Sequence, residues 1–250
     1  MNKKTIIIDF ISIILIIAMT VSGYKIVTKV IDYHKSSETY NNIRKNYSPS
    51  LGNNISIDEQ KLKNINGDYI MWLNVDETNI DYPVVVSSDN DFYLERDFYK
   101  NDSSSGSIFM DYRNKTDYKN IILYGHNMRN QTMFNNLEKF KDNNFWNEKH
   151  KIYIYRDGYK YTYEPFSVYV AEPSLDYTVT DFSKDITFSE YLKKCSDLSI
   201  FDDSIYLKNP GLLKGFNISY ERILTLSTCS YEFDDARTVV HARLIDKSEI

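Results

Sequence analysis

Cys229 ends the apolar run Ile223-Leu224-Thr225-Leu226-Ser227-Thr228, and Arg237 opens a second run, Thr238-Val239-Val240-His241-Ala242-Arg243-Leu244-Ile245. If these runs pair as neighbouring antiparallel strands, Ser230 to Ala236 form the connecting loop and Cys229 and Arg237 stand at its two feet. Directly opposed residues in such a pair lie about 5 Å apart at Cα. A thiol beside a guanidinium has a clear chemical use. The cation favours the thiolate, and the planar fork of N–H donors can hold a developing oxyanion. The same residues admit a plainer arrangement, with Cys229 as a small core residue and Arg237 paired with Glu232, Asp234 or Asp235.

A thiol nucleophile needs an acid–base partner, and four histidines compete. His34 lies in the membrane-proximal stretch and His150 in the charged segment Asn147-Glu148-Lys149-His150-Lys151, where both read as solvated. His241 falls inside the last strand-like run and reads as a paired strand histidine. His126 follows Ile121-Ile122-Leu123-Tyr124-Gly125. That places it at the end of a strand, in the loop position where rigid scaffolds usually carry function. Its residues alone also fit a histidine satisfied within a turn.

The elements that must position these groups are mostly strands. Apolar or alternating runs occupy about 72–75, 80–86, 107–110, 120–125, 151–156, 159–171, 222–228 and 238–245. Asp157-Gly158 between two Tyr-rich runs is a two-residue hairpin signal. Short helices are expected over Asp58 to Ile65 and near Thr132 to Phe140, and Ser48 to Asn54 reads as a linker. In the segment Phe188–Leu198, the residues Phe188, Tyr191, Leu192, Cys195 and Leu198 recur at helical spacing. Cys195 therefore reads as helix filler, against the alternative of a Cys195–Cys229 disulfide in an oxidising exterior. Strands without regular βα alternation point to a mainly β fold, a closed or nearly closed barrel.

At 250 residues and 42% hydrophobic, the chain can bury one sizeable core. Residues Thr5 to Tyr24 are nearly all apolar, long enough as a helix to cross about 30 Å of hydrocarbon. Lys3 and Lys4 ahead of them favour a cytoplasmic N-terminus and an extracellular C-terminal part. A cleaved signal peptide with Thr20-Val21-Ser22 at its end is the competing reading, and the long run with its helix-like continuation favours a retained single-pass anchor. Residues 1–24 then form the anchor, 25–71 a helical stalk and linker, and 72–250 the barrel that carries Cys229, His126 and Arg237. Without the anchor the net charge moves from −5 to −6, which argues against a nucleic-acid partner. No CxxC pair or His/Cys cluster is present, so neither a metal nor another cofactor is expected.

Thr225-Leu226-Ser227-Thr228-Cys229 with Arg237 eight positions on resembles the active-site signature of sortases, the membrane-anchored cysteine transpeptidases of Gram-positive bacteria. Ile121 to Met128 looks like the segment bearing the sortase histidine. Trp72-Leu73-Asn74-Val75, Asp81-Tyr82-Pro83-Val84-Val85 and Gly106 to Arg113 resemble class B sortases in particular. The resemblance runs from about Trp72 to Ile245. It implies a closed eight-stranded β-barrel with N-terminal helices and a helix between the sixth and seventh strands. It also implies Cys229 as nucleophile, His126 as general acid and base, and Arg237 as oxyanion or substrate stabiliser. The expected partners are a surface protein bearing a C-terminal sorting signal, cleaved after Thr, and an amine of the peptidoglycan cross-bridge or a pilin lysine. The acidic loop Ser230 to Ala236 leaves open whether Asp234 or Asp235 occupies Arg237 at rest.

Overall fold

A computed structural model describes residues 3–49, 57–114, 119–182, 187–201 and 222–250. Eight strands close into a barrel: β1 (Tyr69–Val75), β2 (Asp81–Val85), β3 (Ile108–Met110), β4 (Asn120–Tyr124), β5 (Ile152–Arg156), β6 (Tyr159–Ala171), β7 (Ile223–Cys229) and β8 (Arg237–Glu249). Their order around the barrel is β1-β2-β3-β4-β7-β8-β6-β5, with β5 pairing back onto β1. The pairs β2–β3 and β4–β7 are parallel, and the others are antiparallel. Every strand expected from the sequence is present. The hairpin at Asp157-Gly158 has φ of 54° and 76°, the double left-handed geometry that matches strand twist.

Among the described residues four α-helices accompany the barrel: α1 (Lys3–Tyr47), α2 (Glu59–Ile65), α3 (Asn143–Asn147) and α4 (Phe188–Asp197). α4 lies between the sixth and seventh strands. Thr187 starts it with a reciprocal cap, its hydroxyl meeting the Glu190 amide while the Glu190 carboxylate returns to the Thr187 amide. Its apolar face, with Phe188, Tyr191, Leu192 and Cys195, packs on Phe166 of β6 and Ile223 of β7. Cys195 is buried and free, and burial pushes its thiol up to about 12. The helix expected near 132–140 is a 3-10 helix, Asn135–Lys141. Of the expected linker, residues 50–54 lie outside the described residues.

α1 is a single unbroken helix whose N-terminal part is exposed and apolar, long and apolar enough to cross a membrane. Its C-terminal part carries Tyr40 and Ile43 into the main core, beside Trp72, Tyr82, Leu123 and Val240. Arg44 lies over the Tyr82 ring and donates to the Asn79 carbonyl, and Ser48 donates to Asp81 at 2.7 Å. The stretch read as a stalk is therefore packed on the barrel at its far end.

Candidate active site

Strand alternation puts Thr225, Ser227 and Cys229 on the face of β7 opposite Leu224 and Leu226. Leu224 and Leu226 fill the barrel core. The outer face lies under α4 and the segment before it. Tyr177 meets Ser227 through their hydroxyls at 2.9 Å, and the Asn120 amide donates to the Val179 carbonyl at 2.9 Å. Cys229, the last residue of β7, is half-buried and free. Its register partner across the β7–β8 ladder is Arg237, the first residue of β8, as the two apolar runs implied.

The connecting loop closes through a hydrogen bond from the Ser230 amide to the Ala236 carbonyl at 2.8 Å. Asp235 takes a left-handed φ of 58°, which Asp tolerates better than most residues. Arg237 donates through Nη1 to the carbonyls of Asp235 and Ala236, 3.0 Å each. Among the described residues it pairs with no carboxylate. The third acid of the loop, Glu232, is engaged by Lys141 and by the Ser230 hydroxyl. Partial burial opposes the charge on Glu232, but these bonds outweigh it and hold the carboxyl down at about 2. Lys141 also pairs with Glu138, which accepts from the Thr238 hydroxyl at 2.6 Å. The 3-10 helix thus ties down the back of the loop and leaves Arg237 facing the cleft.

His126 lies just beyond β4, parallel to and paired with β7. The last ladder pair is Tyr124 with Ser227. Past it, the two chains remain fastened residue by residue. The Gly125 amide reaches the Ser227 carbonyl at 3.3 Å, and the Thr228 hydroxyl donates to the Gly125 carbonyl at 2.7 Å. The Asn127 side-chain amide donates to the Cys229 carbonyl at 2.8 Å. Asn127 is itself held, its side-chain oxygen by Asn135 at 2.7 Å and its carbonyl by the Tyr231 hydroxyl at 2.8 Å. Side chains continue the ladder after the backbones diverge. Gly125 is needed for space: a Cβ there would lie 2.4 Å from Ile108 Cδ1 and 2.9 Å from Phe134.

The His126 ring is half-buried, and its Nε2 sits 2.8 Å from the Leu94 carbonyl oxygen. A carbonyl can only accept, so Nε2 carries a proton in this arrangement. Cys229, His126 and Arg237 line one cleft of about 270 Å³, together with Asn90, Leu94, Phe109 and Tyr124. Two of these walls rest on Asp111, which is fully buried and accepts from Tyr124 at 2.9 Å, Asn90 at 3.3 Å and Arg113 through two nitrogens. Burial works against the Asp111 charge, and the Arg113 and Tyr124 hydrogen bonds still hold its carboxyl below the usual range.

The remaining histidines stand elsewhere. His34 is exposed on α1. His150 is not simply solvated, since it meets Glu148 at 2.7 Å and packs on the Phe145 ring at 4.2 Å. His241 is fully buried between Tyr169 and Thr225. Of the supports of the site, Leu94, Asn127, Thr228, Glu138 and Lys141 are not marked by residue type, and Glu232 is marked only as a possible partner of Arg237, whereas it meets Lys141. Most of their partners lie many positions away, and of these supports only Asn127, Thr228 and Glu232, beside His126, beside Cys229 and in the acidic loop, fall inside informative segments.

Residues 73–245 match the sortase domain family. Sortase B of Listeria monocytogenes is 35% identical over 74% of this chain and 73% of the relative. Sortase B of Staphylococcus aureus is 31% identical over 95% of this chain and 96% of its own. The crystal structure of Clostridium perfringens sortase B superposes with a TM-score of 0.68 at 46% identity, covering 76% of this chain and all of that one (100%). With a matching barrel and this extent of identity, the chain belongs to the sortase family, in its class B branch, and is a sortase-type transpeptidase.

Proposed function

We propose that this sortase cleaves a C-terminal sorting signal after Thr and transfers the new carboxyl end to a cell-wall amine through a thioacyl-enzyme on Cys229. The convergence of Cys229, His126 and Arg237 on one cleft carries the reading. The Cys229 thiolate attacks the scissile carbonyl carbon, and the carbonyl oxygen becomes an oxyanion facing the Arg237 guanidinium. As the C–N bond breaks, imidazolium His126 gives its proton to the leaving amine. The neutral imidazole then takes a proton from the incoming amine, which attacks the thioester and releases the thiolate. Arg237 keeps its charge throughout, because guanidinium does not titrate in the working range.

In the same reading residues 1–24 form a single-pass membrane anchor, with the N-terminus cytoplasmic. Residues 25–71 join that anchor to the extracellular catalytic barrel. The apolar run behind Lys3 and Lys4 supports this topology.

The test is to incubate the protein with a set of sorting-signal pentapeptides, with and without a glycine-type amine or a lysine side-chain amine. Mass spectrometry would follow the Cys229 thioester and the products. The expected result is cleavage after Thr, a captured adduct lost in Cys229→Ala, and a ligated product that grows with added amine. Equal cleavage with and without amine would make the enzyme a hydrolase instead. Preference for the lysine amine would point to pilin assembly.

A further inference from the structure

We infer that Tyr40, on the helix that bears the apolar anchor, is a positioning residue for His126, so that α1 forms part of the active-site support. This rests on the role given to His126 above. Tyr40 is 3% exposed, and its hydroxyl donates to the Gly106 carbonyl at 2.7 Å and lies 3.0 Å from the Ser107 hydroxyl. Those two residues form the floor beneath segment 93–96. Gly106 has φ of 58°, and a Cβ on it would come within 2.6 Å of the carbonyl oxygens of both Tyr93 and Leu94. The Ser107 amide donates to the Tyr93 carbonyl at 3.0 Å, and its hydroxyl to the Arg96 carbonyl at 2.8 Å. The Leu94 carbonyl, between the Tyr93 and Arg96 carbonyls fixed in this way and lying close over Gly106, is the one that meets His126 Nε2.

A second route from α1 reaches the other side of the same loop. Tyr40 packs edge-on against Tyr82, with ring centres 5.3 Å apart, and Arg44 lies over that ring. The Tyr82 hydroxyl accepts the Met133 amide at 3.0 Å. Met133 is bridged to Asn127, and the next amide, Phe134, donates to the His126 carbonyl at 2.9 Å. The ring nitrogen and the backbone of His126 are thus both fixed by groups that rest on one tyrosine of α1. A helix serving only as a tether would need no such buried hydroxyl, and an apolar residue such as Ile43 would suffice.

The test compares Tyr40→Phe, Ile43→Ala and His126→Ala in the full-length protein in detergent or nanodiscs. Tyr40→Phe keeps the ring and its packing and removes only the hydroxyl. It should lower kcat for donor-peptide cleavage about tenfold, leave KM within about twofold, and shift the pH–rate profile. Ile43→Ala removes α1 packing without touching the hydroxyl relay. It should lower the melting temperature and leave kcat and the pH profile in place. An unchanged kcat and pH profile in Tyr40→Phe, or equal losses in both variants tracking the loss of melting temperature, would overturn the inference. Full turnover in His126→Ala would instead remove the catalytic reading on which it rests.

Discussion

At the scale of single residues, Arg237 uses one nitrogen to fasten its own loop, while Nε and Nη2 form no hydrogen bond among the described residues. A lysine could still reach a carbonyl there but could not present a planar pair of donors. Arg237→Lys is therefore expected to lose at least about 10²-fold in turnover, the scale of one oxyanion donor, with thermal stability nearly unchanged. Asp234→Asn, which alters a side chain that does not pair with Arg237, should change turnover far less. Steady-state cleavage alongside thermal melts separates these outcomes, and near-wild-type turnover in Arg237→Lys would reduce the arginine to a structural charge. Asn127 works differently, because it touches the backbone of Cys229. Removing its amide in Asn127→Ala leaves the Cys229 carbonyl without that donor and frees the two chains past the Thr228–Gly125 bond, where His126 and Cys229 stand. The expected result is a drop in kcat of about tenfold or more, with little change in KM for the donor peptide. An unchanged kcat would show that the Thr228–Gly125 bond suffices.

At the scale of elements, the seam where β6, β7 and β8 meet hides a chain of polar groups. The Thr225 hydroxyl gives its proton to Asn120 Oδ1 at 2.7 Å, so it accepts from His241 Nδ1 at 2.9 Å, and Tyr169 donates to Nε2 at 2.8 Å. Both ring nitrogens are satisfied in the neutral form, and burial pushes the imidazole down from 6.5 to about 3. The unfolded chain binds a proton here below about 6.5 while the native one does not, so stability is lost as pH falls toward the native value. The loss accrues at up to about 1.4 kcal/mol per pH unit, an order-of-magnitude figure. Between pH 7 and 5, ahead of the carboxylates, urea midpoints of the wild type should fall more steeply than those of His241→Asn. Parallel slopes would show that His241 is not the responsible group.

Elements were more legible in the sequence than their pairing. Each strand announced itself through local alternation, and the feet of the β7–β8 loop followed from where two apolar runs stop and start. The parallel pairing of β4 with β7 joins residues about a hundred positions apart, and no local pattern encodes it. The polar end of β8, Asp246–Glu249, reads as a tail because it lacks apolar alternation. It is a strand because β6 pairs with it and Lys247 covers the Tyr159 and Tyr161 rings. Tyr40 and Ile43 were hidden for a related reason. Val27, Val30 and Ile31 in the same stretch are as apolar as Ile43 yet exposed, so scattered apolar residues do not distinguish a docked helix from a solvated stalk.

At the scale of the whole molecule, the run from apolar segment to barrel is one helix without a break. Docking begins at Asp32, which pairs with Ser104, and the apolar run ends near Tyr24. Those eight residues span about 12 Å of helix, so a membrane-seated α1 would hold the barrel close to the bilayer surface. A rigid rod transmits rotation as well as height. One residue inserted between Lys25 and Val30 lifts the barrel by only about 1.5 Å but turns it by about 100° around the rod. If the cleft must face a particular way to meet a membrane-tethered donor or acceptor, anchoring in cells should oscillate with the number of inserted alanines. Recovery is expected near four and seven residues and loss in between, while cleavage of a soluble peptide stays constant. A smooth decline with insert length would mean that only reach matters, and no dependence at all that the barrel swings freely. An oscillating response would make the helix a compass needle for the enzyme, setting the bearing of its cleft relative to the membrane.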